Sequence, residues 1–256
     1  STPSEVINNI KPKGRIYLPC ASYREMLEWS GGYFNNFLVK YPEANWMQKR
    51  MLYTSQELSR LKSKSAILQK ARRHLYMAQC NCPYWHGIFG GLYLGHLRHS
   101  VYSNLIEAEK LKDKSSAQKS FLKQRVLDID KDAHEEVVLE NEWLNIFISP
   151  SRGGTILELD YKPKSLNLSN TLSRRRESYH DKIIKSAAAY DNPGLSSSPH
   201  SIHDARLVKE EHLENYLVYD HYRKVSLIEH FLNEEVSPSD FSRGNYIECG
   251  NFIGNV

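Results

Sequence analysis

The sequence predicts a multidomain α-plus-β chain: a helical region over residues 1–122, then an antiparallel β region over residues 123–256. Three observations carry this reading. Apolar residues recur at helical spacing on three successive stretches before residue 112. Beyond Lys123 the apolar runs shorten and partly alternate with polar residues. Turn-forming clusters such as Ser151-Arg152-Gly153-Gly154 separate those runs. With 256 residues, the chain has room for one or two domains with cores.

The first ten residues are polar and are expected to be loose. Residues 15–19 form a short apolar run closed by proline, which suits a strand end. Ser22 can cap a helix to about Ser30, with Glu25 three residues on completing a capping box and Gly31-Gly32 as the stop. Pro42 stands in the first turn of the next helix, where its missing N–H costs nothing. Met47, Met51, Leu58 and Leu61 share a face of that helix, which should end near Ser63. A second helix over 65–80 aligns Leu68, Ala71, Leu75 and Ala78. A third over 91–112 aligns Leu94, Leu97, Val101, Leu105 and Ala108. Three amphipathic helices with short connections pack as neighbours. Strands are expected at 125–130, 136–140, 144–148 and 155–161. Residues 190–201 read as an exposed loop, and apolar runs at 226–232 and 246–252 complete the β part.

Composition narrows the function classes. Sixteen tyrosines and four tryptophans suit flat amphipathic ligands, although any one tyrosine is by default a packing residue. The net charge of +4 is mild. Its two basic clusters, Lys70 to His74 and Arg174-Arg175-Arg176, read as a solvated face or a turn, so no nucleic-acid partner is expected. Cys20, Cys80, Cys82 and Cys249 lack the spacing of a disulfide framework, which fits a reducing, cytoplasmic setting. No apolar run approaches the ~18 residues of a membrane span. The chain starts at Ser1 without methionine and stops at Val256 in what reads as a strand; it is expected to be a piece of a longer protein, with any signal upstream left open.

Several constellations compete for chemistry. Glycoside hydrolysis needs two carboxylates across the scissile bond, and no acidic residue here is marked by its loop context. Glu25, Glu28, Glu43 and Glu57 lie on helices among basic neighbours and read as surface partners. Asp128, Asp130 and Asp132 alternate in a turn and offer oxygen ligands to Ca²⁺, but the glycine and final glutamate of an EF-hand are missing. Cys80-x-Cys82-x3-His86 is too tight for the common zinc knuckle and lacks a fourth ligand; a nucleophilic thiol lacks an oxyanion-hole signature. No metal and no cofactor is therefore expected. The loop 81–90 reads in two ways. Gln79, Asn81, Tyr84, Trp85 and His86 combine rings that stack on sugars with groups that bond hydroxyls. The same residues also make a buried Trp–His packing cluster, which composition alone favours.

AQCNCPYWHGIFGGLYLGHLR (78–98) resembles the last recurring motif of glycoside hydrolase family 57, in its 4-α-glucanotransferase and α-amylase branch. IYLPCASYREMLEW (16–29) and FLVKYPEANWMQKRML (37–52) are similar to the central helical region of that family. ENEWLNIFISPSRGGTILELDYKPKSLNLSNTLSRRRESYH (140–180) and LENYLVYDHYRKVSLIEHF (213–231) are similar to its C-terminal β-domain. The resemblance implies a helical bundle from the end of a (β/α)7-barrel catalytic domain, then part of an antiparallel β-sandwich. It also implies a retaining reaction on α-1,4-glucans, with a glutamate nucleophile and an aspartate acid/base in motifs N-terminal to anything here. Neither His-x-His, His-Gln-Pro nor a Trp-x-x-Glu segment is in the sequence. The chain is thus expected to carry no catalytic residue and to be inactive alone.

What the resemblance implies for the loop is substrate binding. Trp85 matches a position lining the donor side of the glucan cleft. Cys82 takes a place where some members carry aspartate, which puts that one contact in doubt, because a thiol is not a charged acceptor at neutral pH. His86, Asn81 and Tyr84 match the motif without an assigned role. The implied partner is an α-1,4-glucan or maltooligosaccharide, with oligomeric state left open. The alternative is a non-catalytic carbohydrate-binding module of the same fold.

Overall fold

The computed structural model describes residues 2–17, 24–115, 122–181, 183–184, 212–233 and 235–250. The first ten residues are not loose: Pro3–Asn9 forms a short helix, α1. Thr2 Oγ1 accepts from Glu5 N–H at 3.3 Å and Glu5 Oε2 accepts from Thr2 N–H at 2.9 Å, a capping box with Pro3 in the first turn. Residues 15–17 carry no strand, and the expected Ser22 cap lies outside the described residues.

α2 (Arg24–Trp29) gives way to Gly31 and Gly32, both at positive φ. α3 (Asn35–Lys40) and α4 (Pro42–Ser59) are separated by Tyr41 alone. A residue before proline avoids the helical region. Tyr41 is accordingly extended, at φ −119° and ψ 90°, and its side chain is buried. α4 ends at Ser59, short of the expected Ser63. α5 (Ala66–Ala78) buries Leu68, Ala71, Leu75 and Ala78, the stripe read from the sequence. α6 (Gly95–Ser115) begins after a separate 3₁₀ turn at Gly91–Tyr93, and it buries Val101, Leu105 and Ala108. α5 and α6 lie side by side, with α4 against both. The buried alanines 71, 78 and 108 leave room for that close packing.

Five strands follow in one antiparallel meander: β1 (Leu122–Leu127), β2 (Glu136–Asn141), β3 (Leu144–Ser149), β4 (Thr155–Tyr161) and β5 (Leu166–Asn167). Val138 faces Phe147 across the β2–β3 pair. The register slips between Phe147 and Ile148, leaving Leu157 as the extra residue of β4. That slip lets Leu157 and Glu158, although adjacent, both be buried. Of the two later apolar runs, residue 226 bridges to Ile156 and Leu232 to Glu248, rather than forming longer strands among the described residues. The expected loop at 190–201 lies outside the described residues. No helix among the described residues is long and apolar enough to cross a membrane.

The inner face of the sheet is unexpectedly polar. Glu140, Asn145, Glu158 and Asp160 are all buried there. Arg50 of α4, fully buried, meets Glu158 and Asp160, while Glu140 pairs with Arg125 of β1. Arg50 Nη1 and Nη2 donate to Glu109 of α6 at 3.0 and 3.3 Å, and its Nε donates to Glu158 of β4 at 3.0 Å. Trp46 Nε1 donates to the other Glu158 oxygen at 2.5 Å, and Thr54 and Asn145 satisfy Glu109. The guanidinium also lies 4.1 Å from the centre of the Phe147 ring. One cation from α4 therefore ties both other layers together. Burial pulls the Glu109 carboxyl up, but Arg50 outweighs it and holds the value at about 2. Asp160 goes the other way, since burial and the Glu158 charge push it well above the carboxylate range. That direction favours its protonated form and limits the negative charge gathered around Arg50.

Candidate functional site

The connection from α5 to α6 carries the aromatic loop. Pro83 opens a 3₁₀ turn at Cys82–Tyr84, and Tyr84 Oη donates to Ala78 O at 2.6 Å, fastening the loop to the end of α5. The second turn folds back on the first through Leu92 N–H to Trp85 O at 2.8 Å. Gly91, at φ +41°, makes this possible: a Cβ there would stand 2.1 Å from Trp85 O and 2.8 Å from Cys82 O. Arg98 Nη1 donates to Leu92 O at 2.6 Å and secures the other end.

The result holds His86 buried between the helices. Its ring meets Trp29, Phe37, Tyr41 and Tyr93 edge-on, with centroids 5.0–5.8 Å away. His86 Nε2 lies 2.6 Å from Tyr41 Oη. Tyr41 Oη donates its one proton to Glu177 Oε1, which leaves its oxygen to accept from His86 Nε2–H. Tyr93 Oη donates to the same Glu177 oxygen at 2.5 Å, and Lys40 Nζ donates to the other at 2.6 Å. Burial pulls Glu177 up, but the donors Lys40, Tyr41 and Tyr93 overcome it and hold the carboxyl below its ordinary value. Burial dominates at His86, lowering its pKa despite Glu177, so the imidazole is neutral near pH 7. Both tyrosines are pushed far up by burial and by Glu177, and they remain protonated donors.

Arg174-Arg175-Arg176 places Glu177. Arg176 is solvated as expected of a basic turn, and each arginine also has a carboxylate partner: Asp220 at 2.5 Å, Glu43 at 2.9 Å and Asp181 at 2.6 Å. Glu43, read as a surface partner within its helix, is in fact buried and also accepts from Ser173 Oγ at 2.8 Å. Its partners arrive from about 130 residues away, which helical spacing does not reveal.

Beside this network lies a cavity of about 500 Å³. Its lining includes Trp29, Tyr179, Asn36, Lys40, His86 and Glu177. The Trp29 and Tyr179 rings are 6.3 Å apart at 54°, and Trp29 is 38% exposed. The size and the mix of aromatic and polar groups are those of a small-molecule pocket. Glu177 accepts from three donors, Lys40, Tyr41 and Tyr93, which hold it as a carboxylate at the edge of the cavity. Glu28, also in the lining, pairs with Arg24 at 2.6 Å.

Of the five loop residues predicted to bind substrate, His86 alone lines this cavity. Asn81 and Cys82 are exposed on the loop surface. Tyr84 and Trp85 are buried, and the Trp85 ring packs 5.7 Å from Phe37. A stacking platform needs an open ring face, and Trp85 offers 6% of its surface. Packing therefore describes Tyr84 and Trp85; at the cavity Trp29 is a half-open aromatic, while Phe89 of the loop is exposed away from its lining. Cys80, Cys82 and His86 do not converge. The metal-type group among the described residues is instead Asp128, Asp130 and Glu136. Sequence reasoning missed Trp29, Asn36, Lys40, Tyr41, Glu177 and Tyr179. Tyr41-Pro42 was a local signal for an inward-turned ring, whereas Lys40 and Glu177, 137 residues apart, gave none.

Comparison with known proteins adds a separate line. The family model described as Alpha-amylase/4-alpha-glucanotransferase, middle domain, matches residues 32–112, and the C-terminal model of the same family matches 128–255. Alpha-amylase 1 of Dictyoglomus thermophilum is 38% identical, over 97% of this chain and 39% of that protein. The 4-alpha-glucanotransferase of Thermococcus kodakarensis is 34% identical, over 98% of this chain and 40% of that protein. The crystal structure of 4-alpha-glucanotransferase from Thermococcus litoralis matches with a TM-score of 0.70 at 32% identity, covering 99% of this chain and 38% of that one. The chain thus spans about two fifths of the length of the curated relatives it matches.

Proposed function

The chain belongs to the alpha-amylase/4-alpha-glucanotransferase family, and on that footing we propose that it is part of an enzyme acting on α-1,4-glucans, in which the cavity beside His86 and Glu177 forms one wall of the glucan-binding cleft. In the finer reading it is a member of glycoside hydrolase family 57. Its helices then stand against a (β/α)7 barrel, and its strands begin a β-sandwich.

The observation that carries the proposal is the cavity's chemistry. A pyranose has an apolar face and a rim of hydroxyls. Trp29 and Tyr179 supply ring surface, while Asn36 and Lys40 supply polar groups at the same lining. The Glu177 network works beneath them, holding Tyr41 and His86 in fixed orientation without exposing a reactive proton. The site is built to bind and not to cleave, so a chain without the family's catalytic motifs is inactive by itself. Asn81 and Cys82 face outward, available to a glucan chain passing the loop, while Tyr84 and Trp85 back the wall. The free, exposed thiols of Cys80, Cys82 and Cys249 support a reducing, cytoplasmic setting.

Titrating this chain with maltoheptaose while following tryptophan fluorescence tests the wall. The expected result is a saturable change that Trp29→Ala abolishes and that brings no release of reducing ends. The same substitution in the full-length enzyme should raise KM. No saturable response here, together with an unchanged KM there, would refute the assignment.

A further inference from the structure

The loop from β1 to β2 gathers acidic side chains that the glucan site does not use. Asp128 Oδ1 accepts from Lys131 N–H at 2.7 Å, Asp128 Oδ2 accepts from Ala133 N–H at 3.3 Å, and Asp132 Oδ1 accepts from His134 N–H at 2.9 Å. Glu136, at the start of β2, reaches back to accept from Ile129 N–H at 2.8 Å. This folding brings one carboxylate oxygen from each of Asp128, Asp130 and Glu136 within 4.8 Å of the others.

Such a cluster alone is common on protein surfaces. Here a second observation stands beside it. Asp130 and Glu136 are only 6% and 1% exposed, so bulk water does not screen them. Asp130 Oδ1, sealed from solvent, receives no hydrogen bond from any described residue. Of the nearby cations, Arg152 Nη2 is 3.3 Å from Asp132 and Lys131 Nζ donates to the Asp128 carbonyl at 2.5 Å, while the buried Arg223 attracts Asp130 without a hydrogen bond to its Oδ1. Buried carboxylates this close must share protons or share a cation. Consistent with that strain, burial and the neighbouring Asp130, Asp132 and Asp128 push Glu136 up to about 7 against the Ile129 hydrogen bond.

We propose that Asp128, Asp130 and Glu136 form a calcium site that closes the β1–β2 loop onto the helical layer. All three ligands are hard oxygens, which excludes the sulfur- and imidazole-seeking metals. Ca²⁺ accepts irregular carboxylate geometry at about 2.3–2.6 Å, whereas Mg²⁺ demands a near-ideal octahedron at about 2.0–2.1 Å. Ligands drawn from an irregular loop and a strand start suit the more tolerant ion. The consequence is mechanical. Asn45 of α4 donates to the Asp130 carbonyl at 3.0 Å, and Ile129 is buried in the core, so fixing the loop also fixes its contact with α4.

The test uses this chain, stripped with chelator, then titrated calorimetrically with CaCl₂ or MgCl₂ at constant ionic strength, with a thermal melt at each concentration. One Ca²⁺ per chain and a rising melting temperature are expected, with at least tenfold weaker binding of Mg²⁺. Asp130→Asn should weaken calcium binding at least tenfold while circular dichroism stays unchanged. Should that variant fail to fold, Asp128→Asn, at a half-buried position, serves in its place with the same expected loss. No calcium-dependent heat or melting shift in the unaltered chain overturns the proposal. Equal responses to the two cations, or full calcium binding in the folded variants, overturn it as well.

Discussion

Replacing Arg50 with methionine removes the one cation that joins α4 to α6 and to β4. Methionine roughly preserves the length of the side chain but leaves Glu109 and Glu158 buried without their guanidinium. Two routes give the cost. Breaking one side of a buried ion pair typically costs about 3–5 kcal/mol. Independently, the fall of the Glu109 carboxyl from 4.5 to about 2 corresponds to about 3 kcal/mol. Either is a large share of the roughly 5–15 kcal/mol that holds a domain folded. The sign of the pH dependence is also set. Because Glu109 has its pKa lowered in the folded state, it stabilises fully above 4.5, and that contribution is lost as pH falls towards 2. In Arg50→Met the same buried carboxyl has its pKa raised instead, so the variant should be most stable near pH 4–5 and weaken as pH rises. Urea unfolding at pH 5 and pH 8 reads both effects. The triple variant Arg50→Met, Glu109→Gln, Glu158→Gln should recover most of the loss, because no buried charge is left alone. A single variant that loses less than about 1 kcal/mol, with the same stability at both pH values, would refute the account of Arg50 as the interlayer tie.

Two further outcomes follow from the site. Glu177→Gln removes the charged acceptor of Lys40, Tyr41 and Tyr93, which should cost about 1.5–3 kcal/mol; it should also move the His86 titration further down by NMR, since the Glu177 charge is what opposes burial there. An unmoved His86 would contradict the network. Gly91→Ala forces a Cβ into Trp85 O and Cys82 O, so the 79–94 loop must rearrange and maltoheptaose binding should be lost. Gly14→Ala, where nothing lies within 4 Å of the added carbon, is the neutral control by thermal melting, and equal melting temperatures for the two would count against the loop geometry.

Much of the secondary structure was legible because its signals are local. The α5 stripe at Leu68, Ala71, Leu75 and Ala78 needs only the helical period, and it is buried as read. The strands at 136–141 and 144–149 announce themselves by alternation and by the turn between them. The α1 capping box, too, stands in the sequence as Thr2-Pro3-Ser4-Glu5. The polar inner face of the sheet was harder to see. Asn145, Glu158 and Asp160 break the apolar alternation because they meet Glu109 and Arg50 on the helices, and Glu140 because it pairs with Arg125 on the neighbouring strand.

The aromatic loop 78–94 carries the motif that resembles a family and the glycines of a tight turn, so the sequence by itself determined the element order, the family resemblance and the place of the loop between α5 and α6. Only the tertiary structure decided which side chains meet the cavity. It buried Trp85, brought His86 to the lining, and joined Lys40 and Tyr41 to a glutamate more than 130 residues away. The physical reason is range. Helical and strand periods act over a few residues, whereas burial and the pKa of a carboxylate depend on every group that packing brings within a few ångströms, whatever its distance along the chain.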